Sequence, residues 1–102
     1  MNSISTKVYT ALQLIPKGKV TTYKALAECT GIKSPRVVGN ILHKNTDGKK
    51  YPCHRVVRSD GKIASGYAMG GPVEQRKKLE KEGVQFMKNG RVNFSASLYV
   101  FL

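Results

Sequence analysis

Acidic residues are scarce in this chain. Only 6 aspartates and glutamates stand against 18 lysines and arginines among 102 residues, leaving a net charge of +12. Such a surplus implies a polyanionic partner, with nucleic acid ahead of an anionic membrane surface; the alternative is a solvated basic surface that only keeps the chain in solution. Long apolar runs are also missing. The longest, residues 98–102, falls far short of a spanning helix, so no membrane association is expected. The N-terminus lacks a basic stretch followed by an apolar one, so an intracellular location is expected, in the cytoplasm and nucleoid or in a nucleus. There are two cysteines, Cys29 and Cys53, with no CxxC spacing, and they read as free thiols. With His43 and His54 they match no standard zinc pattern, so neither a metal nor another cofactor is expected. No repeat, linker or low-complexity tract interrupts the chain, and a 40% hydrophobic content suits one modest core: a single domain over residues 1–102.

What is present reads as a small α+β domain, mostly helical, with a helix-turn-helix of winged-helix-like type and short β-hairpins. Ile4, Val8, Leu12 and Ile15 recur at helical spacing until Pro16 and Gly18 break the pattern. Thr22 can cap a second helix, Tyr23 to Thr30, closed by Gly31 in the left-handed conformation. Ser34 can cap a third that opens on Pro35, turns Val38, Ile41 and Leu42 inward, and ends near Lys44. Ala27, Gly31 and Val37 supply a small contact, a tight turn and a packing anchor at helix-turn-helix spacing. Eight lysines and arginines against Asp47 and Asp60 lie between Gly31 and Lys62, so the basicity gathers around this unit. Further on come a short strand at residues 55–58, turned back by residues 59–62, then a glycine-rich loop at residues 66–71. A charged helix over residues 73–82 follows, with Pro72 at its start and Gly83 at its end. Last is a hairpin around Asn89-Gly90. Cys29, on the second helix, reads as a small core residue.

The chemistry centres on Cys53, which follows Pro52 and precedes His54. A thiol becomes a strong nucleophile when an imidazole and nearby positive charge draw off its proton, and both are close in sequence. On an extended segment adjacent side chains point to opposite faces, so His54 would need a bend or a bridging water to reach the sulfur. From these residues alone two readings stand: an activated nucleophile, or a buried core cysteine beside a surface histidine.

The run Pro52-Cys53-His54-Arg55-Val56-Val57 resembles the active-site signature of the O6-alkylguanine-DNA alkyltransferases, the methylated-DNA–protein-cysteine methyltransferases, in their C-terminal domain. The helix-turn-helix and the Glu82-Gly83 helix end lie in the order that family has, over about residues 4 to 85. The resemblance implies single-use repair: Cys53 takes the alkyl group from a flipped O6-alkylguanine, His54 takes the thiol proton through a water, and Glu82 orients the histidine. Asn45 is similar to the asparagine tying recognition helix to active-site loop. Arg36 matches the arginine that holds the place of the extruded base, where its other reading is a phosphate contact, and Tyr23 the tyrosine that crowds the target phosphate, where its other reading is core packing. The recognition helix, Pro35 to His43, would contact duplex DNA through Pro35, Arg36 and Gly39, in the minor groove. The backbone of Val56 and the side chain of Tyr67 would read the base edge.

Several features depart from the family pattern. The loop carrying Tyr67 is shifted by about one residue, with Ala68 where a hydroxyl or small polar residue is common. His43 stands where an arginine is frequent, and these residues are expected to act without the family's usual N-terminal domain. The compact size and residues 74–84 are similar to the alkyltransferase-like proteins, which bind lesions without repairing them. Those proteins usually carry tryptophan at the cysteine position, whereas this chain has no tryptophan and keeps Cys53. The implied partners are double-stranded DNA containing O6-alkylguanine and, for a lesion sensor, other repair proteins; a monomer is expected.

Overall fold

The computed structural model describes residues 3–63 and 70–101. Helix α1 (Ser3–Leu12) leads through a turn to the two-residue strand β1 (Thr21–Thr22) and directly into α2 (Tyr23–Thr30). Thr22 Oγ1 accepts from the Ala25 N–H at 3.0 Å, which caps α2. Gly31, at φ 76°, ends it in the left-handed conformation that only glycine adopts cheaply, and the Ile32 N–H reaches back to the Ala27 carbonyl at 2.9 Å. Ser34 caps α3 (Pro35–His43), with Pro35 in its first turn.

Helix α3 turns Val38 and Leu42, one turn apart, into the core. This corrects the expected role of Val37: one residue away, it is rotated off the buried stripe and lies 40% exposed, so Val38 anchors the packing against α2. Cys29 is corrected as well. Leu26 and Ala27 take the inward face of α2 and leave Cys29 on the exposed one. Ile4 is likewise 45% exposed, while Val8, Leu12 and Ile15 are buried.

The segment expected to be extended from Arg55 begins instead as a 3-10 turn (Cys53–Arg55) and becomes strand β2 (Val56–Val57) only afterwards. Strand β2 pairs in parallel with β1, Thr21 opposite Val56 and Thr22 opposite Val57. Alternation along β2 sends its two side chains to opposite sides. Val56 joins a core with Val8, Leu12, Ile15, Leu26, Val38, Leu42 and Cys53, and Val57 joins a second with Val20, Leu79, Val84 and Val92. The reactive-looking turn therefore sits at the junction of two cores.

Helix α4 (Gly71–Lys81) has Glu82 and Gly83 just past its end. The expected turn at Gly90 is present: Met87 N–H donates to Arg91 at 2.8 Å, and one antiparallel bridge joins Phe86 to Val92. A short helix α5 (Phe94–Ser97), with no counterpart in the sequence reading, follows; beyond it Tyr99 N–H donates to the Val20 carbonyl at 2.8 Å. Among the described residues no helix is long and apolar enough to cross a membrane. Residues 64–69, with Tyr67 and Ala68 of the glycine-rich loop, lie outside the described residues.

Candidate active site

The 3-10 turn supplies the bend that a straight strand would deny. Cys53 and His54 are both buried, 5% and 7% exposed, and the turn that carries them is held from two directions. Just past α3, Asn45 donates through Nδ2 to the Tyr51 carbonyl at 2.8 Å and accepts from the Asp47 N–H at 2.9 Å; its own N–H reaches the Leu42 carbonyl at 3.0 Å. One side chain thus fastens the end of α3 to the residues before Cys53. From α4, the fully buried Gln75 donates to the carbonyls of His54, at 3.0 Å, and Val56, at 2.9 Å.

Behind the histidine stands Glu82. His54 Nε2 lies 3.1 Å from Glu82 Oε1, an ion pair only once the imidazole is protonated, and Nδ1 has no hydrogen-bond partner among the described residues. The carboxylate is already occupied by a fork: Arg55 Nε donates to Oε1 at 2.9 Å and Nη2 to Oε2 at 2.7 Å, while Nη1 donates to the Ile15 carbonyl at 2.7 Å. Burial raises the Glu82 carboxyl, but the Arg55 hydrogen bonds and His54 outweigh it and leave Glu82 below its ordinary value and ionised.

Burial pushes the Cys53 thiol above its ordinary value, with the Asn45 side chain and Lys78 pulling the other way. Burial also holds His54 below its ordinary value against the upward pull of Glu82. At rest the thiol and the imidazole are therefore both neutral, the imidazole able to accept a proton and the fixed Glu82 carboxylate able to stabilise the imidazolium that results.

Tyr23 is half-buried against the same core, and burial, then the neighbouring thiol, push its hydroxyl up to about 12, so it remains a donor. A Cβ on Gly39 would meet the Tyr23 ring at 3.9 Å, an ordinary van der Waals contact, so the packing of α3 on Tyr23 does not itself demand glycine. Pro35 and Arg36 are exposed at the start of α3, apart from the thiol. Val56 N–H donates to the Cys53 carbonyl and its carbonyl accepts from Gln75, so a base edge would share groups already in use.

Three residues to which the sequence reading assigned no role help build the site. Arg55 was legible only as a charge, although it belongs to the signature. Gln75 had a signal, a polar residue one turn from Leu79 on the buried stripe of α4. Tyr9 packs on Tyr51 with ring centroids 4.7 Å apart and donates to the Ile41 carbonyl at 2.9 Å, tying α1 to α3 beside Cys53. Among the described residues no group of three or more histidines, cysteines and acids gathers as a metal would need.

The family described as 6-O-methylguanine DNA methyltransferase, DNA binding domain, matches residues 3–84. A methylated-DNA–protein-cysteine methyltransferase of Metallosphaera sedula is 44% identical over 82 residues, 80% of this chain and 50% of that protein. Alkyltransferase-like protein 1 of Schizosaccharomyces pombe is 34% identical over 99 residues, 96% of this chain and 92% of that protein. The crystal structure of the S. pombe protein in complex with damaged DNA containing O6-carboxymethylguanine superposes with a TM-score of 0.82 at 33% identity, covering 97% of this chain and 96% of that one. The chain thus spans about half the length of that methyltransferase and nearly all of the alkyltransferase-like protein. With its signature run intact and His54 set against Glu82, this chain belongs to the DNA-binding-domain family of the 6-O-methylguanine DNA methyltransferases.

Proposed function

We propose that the chain binds duplex DNA, flips out an O6-alkylated guanine and transfers the alkyl group irreversibly to Cys53, once per molecule. The observation that carries this reading is the buried Cys53-His54 pair backed by a Glu82 carboxylate that Arg55 holds ionised. In the reaction the thiol proton passes to His54 through a water, the sulfur attacks the alkyl carbon in line, a C–S bond forms and the C–O6 bond breaks. The electron pair leaves with guanine oxygen, which is then protonated, so a thiol and an O-alkyl base become a thioether and guanine. Asn45 positions the turn. Arg36 at the exposed start of α3 fills the gap left by the flipped base, Tyr23 crowds the phosphate with a hydroxyl that stays protonated, and Pro35 and Gly39 let the helix approach the groove. The Val56 backbone and Tyr67 contact the base. The 102 residues act as one unit, inside the cell.

Incubation with an O6-methylguanine duplex, followed by intact mass and peptide mapping, tests this directly. A methyl on Cys53 is the expected result, and Cys53→Ser should abolish it while leaving duplex binding largely intact. Tight binding with no change in mass sinks the transfer reading.

A second reading is favoured by one observation: the match runs nearly full length against alkyltransferase-like protein 1 and, at 34% identity over 90% of this chain and 91% of its own length, against a DNA base-flipping protein of Vibrio parahaemolyticus. In that case the same base is flipped and held, Cys53 stays unmodified, and other repair proteins are recruited. The mass measurement separates the two.

A further inference from the structure

Packing alone does not account for Gln75. It lies on the inner stripe of α4, one turn before Leu79 and two turns before Glu82, and it is fully buried. Its Nε2 donates to the His54 carbonyl at 3.0 Å and to the Val56 carbonyl at 2.9 Å, so one amide nitrogen, which carries two hydrogens, binds both the reactive turn and the strand that follows it. Its Oε1 is buried with no hydrogen-bond partner among the described residues. An unmet acceptor lowers stability, and a position filled for packing alone would hold leucine or methionine. The same helix meets His54 a second time. Gln75 grips the carbonyl of that residue, and Glu82, seven positions on, faces its ring with Oε1 3.1 Å from Nε2. Leu79, between the two, is fully buried in the second core and fixes the helix where both contacts are made.

We propose that Gln75 is a positioning residue for alkyl transfer: its two hydrogen bonds hold the backbone on either side of Arg55, which keeps the imidazole set against Glu82 and within reach of the Cys53 proton through a water. This rests on the transfer reading of Cys53. Gln75 makes these bonds to backbone alone, and so acts on the reaction through His54. A displacement of a reacting group by about 1 Å can cost on the order of 10²-fold in rate, so a slackened turn is enough to be felt.

Gln75→Met keeps the length of the side chain and removes both donors. In single-turnover assays on an O6-methylguanine duplex it should slow transfer by about 10–10²-fold, while the Kd for that duplex changes by less than about twofold. The His54 imidazole, whose charged neighbours are Glu82, Arg55 and Lys78, should titrate higher than in the unsubstituted chain, because a loosened turn admits water to a ring that burial holds low. Val92→Ala is the control for stability. It opens a gap in the second core, which does not include the turn, and should leave rate and titration unchanged at a matched loss in urea midpoint. If Gln75→Met does not fold, Gln75→Asn carries the comparison, since it keeps the amide but falls one methylene short of the carbonyls. An unchanged rate, a slower rate that Val92→Ala reproduces or that lost duplex binding explains, or an imidazole titration that does not move overturns the proposal. An unsubstituted chain that binds the duplex and never gains a methyl sinks the transfer reading instead, and the titration then decides alone whether Gln75 positions His54.

Discussion

At the scale of single residues, His54 sets the pH response of the site. Because burial holds its imidazole below the ordinary value of 6.5, it remains a proton acceptor at neutral and mildly acid pH. The acid limb of the alkyl-transfer rate should therefore lie below 6.5; a limb at or above that value, measured by single-turnover kinetics, would mean that His54 is not the base. Glu82 acts on that histidine without touching the sulfur. Glu82→Gln should slow transfer by about 10²–10⁴-fold, as loss of an orienting carboxylate does elsewhere, with binding to the lesion duplex nearly unchanged. It should also destabilise the fold, by roughly 3–5 kcal/mol, because the Arg55 guanidinium, only 12% exposed, loses its counter-charge. Urea titration separates that loss from the kinetic one. The signature placed Cys53 and His54 side by side, but the Arg55 fork could not be read from it, since its partner lies 27 residues away and is chosen by the docking of α4.

At the scale of elements, α2 and α3 were legible because their boundaries are written in local chemistry: Thr22 and Ser34 as caps, Pro35 in a first turn, Gly31 at the left-handed stop. Gly31→Ala should cost about 1 kcal/mol in a urea titration. A Cβ there meets nothing within 4 Å, so the loss is that of backbone conformation alone. The 3-10 turn at Cys53 was not legible, because what bends it is distant: Gln75 from α4 and the parallel register of β2 on β1. Arg36→Ala, on an exposed position of α3, should weaken the preference for lesion over intact duplex while leaving the circular dichroism unchanged. An unchanged preference would leave Arg36 as an ordinary phosphate contact.

At the scale of the whole molecule, charge and burial both set the working conditions. With a net charge of +12, duplex binding should fall steeply with salt, by about 10³-fold between 50 and 200 mM if roughly six phosphates are neutralised. Stability should show a plateau. His54, lowered in the fold, contributes stability above 6.5 that is lost as pH falls below it, and Glu82, also lowered, adds a second loss as pH falls below 4.5. Cys53, raised in the fold, contributes stability that is full below 9.0 and lost as pH rises beyond it. Urea midpoints across pH should therefore be highest between about 6.5 and 9.0; a maximum outside that window would mean that other groups dominate.

The two thiols differ in a way that the fold alone creates: Cys29 faces out from α2, and Cys53 lies in the core with Leu26 and Val38. A bulky maleimide should add to the first at once and to the second only when the α2 and α3 packing parts. The time course of a second label is thus a clock for local opening, carried by the native sequence with no engineered probe. Its slowing in the presence of DNA would measure how firmly the bound duplex keeps that core closed.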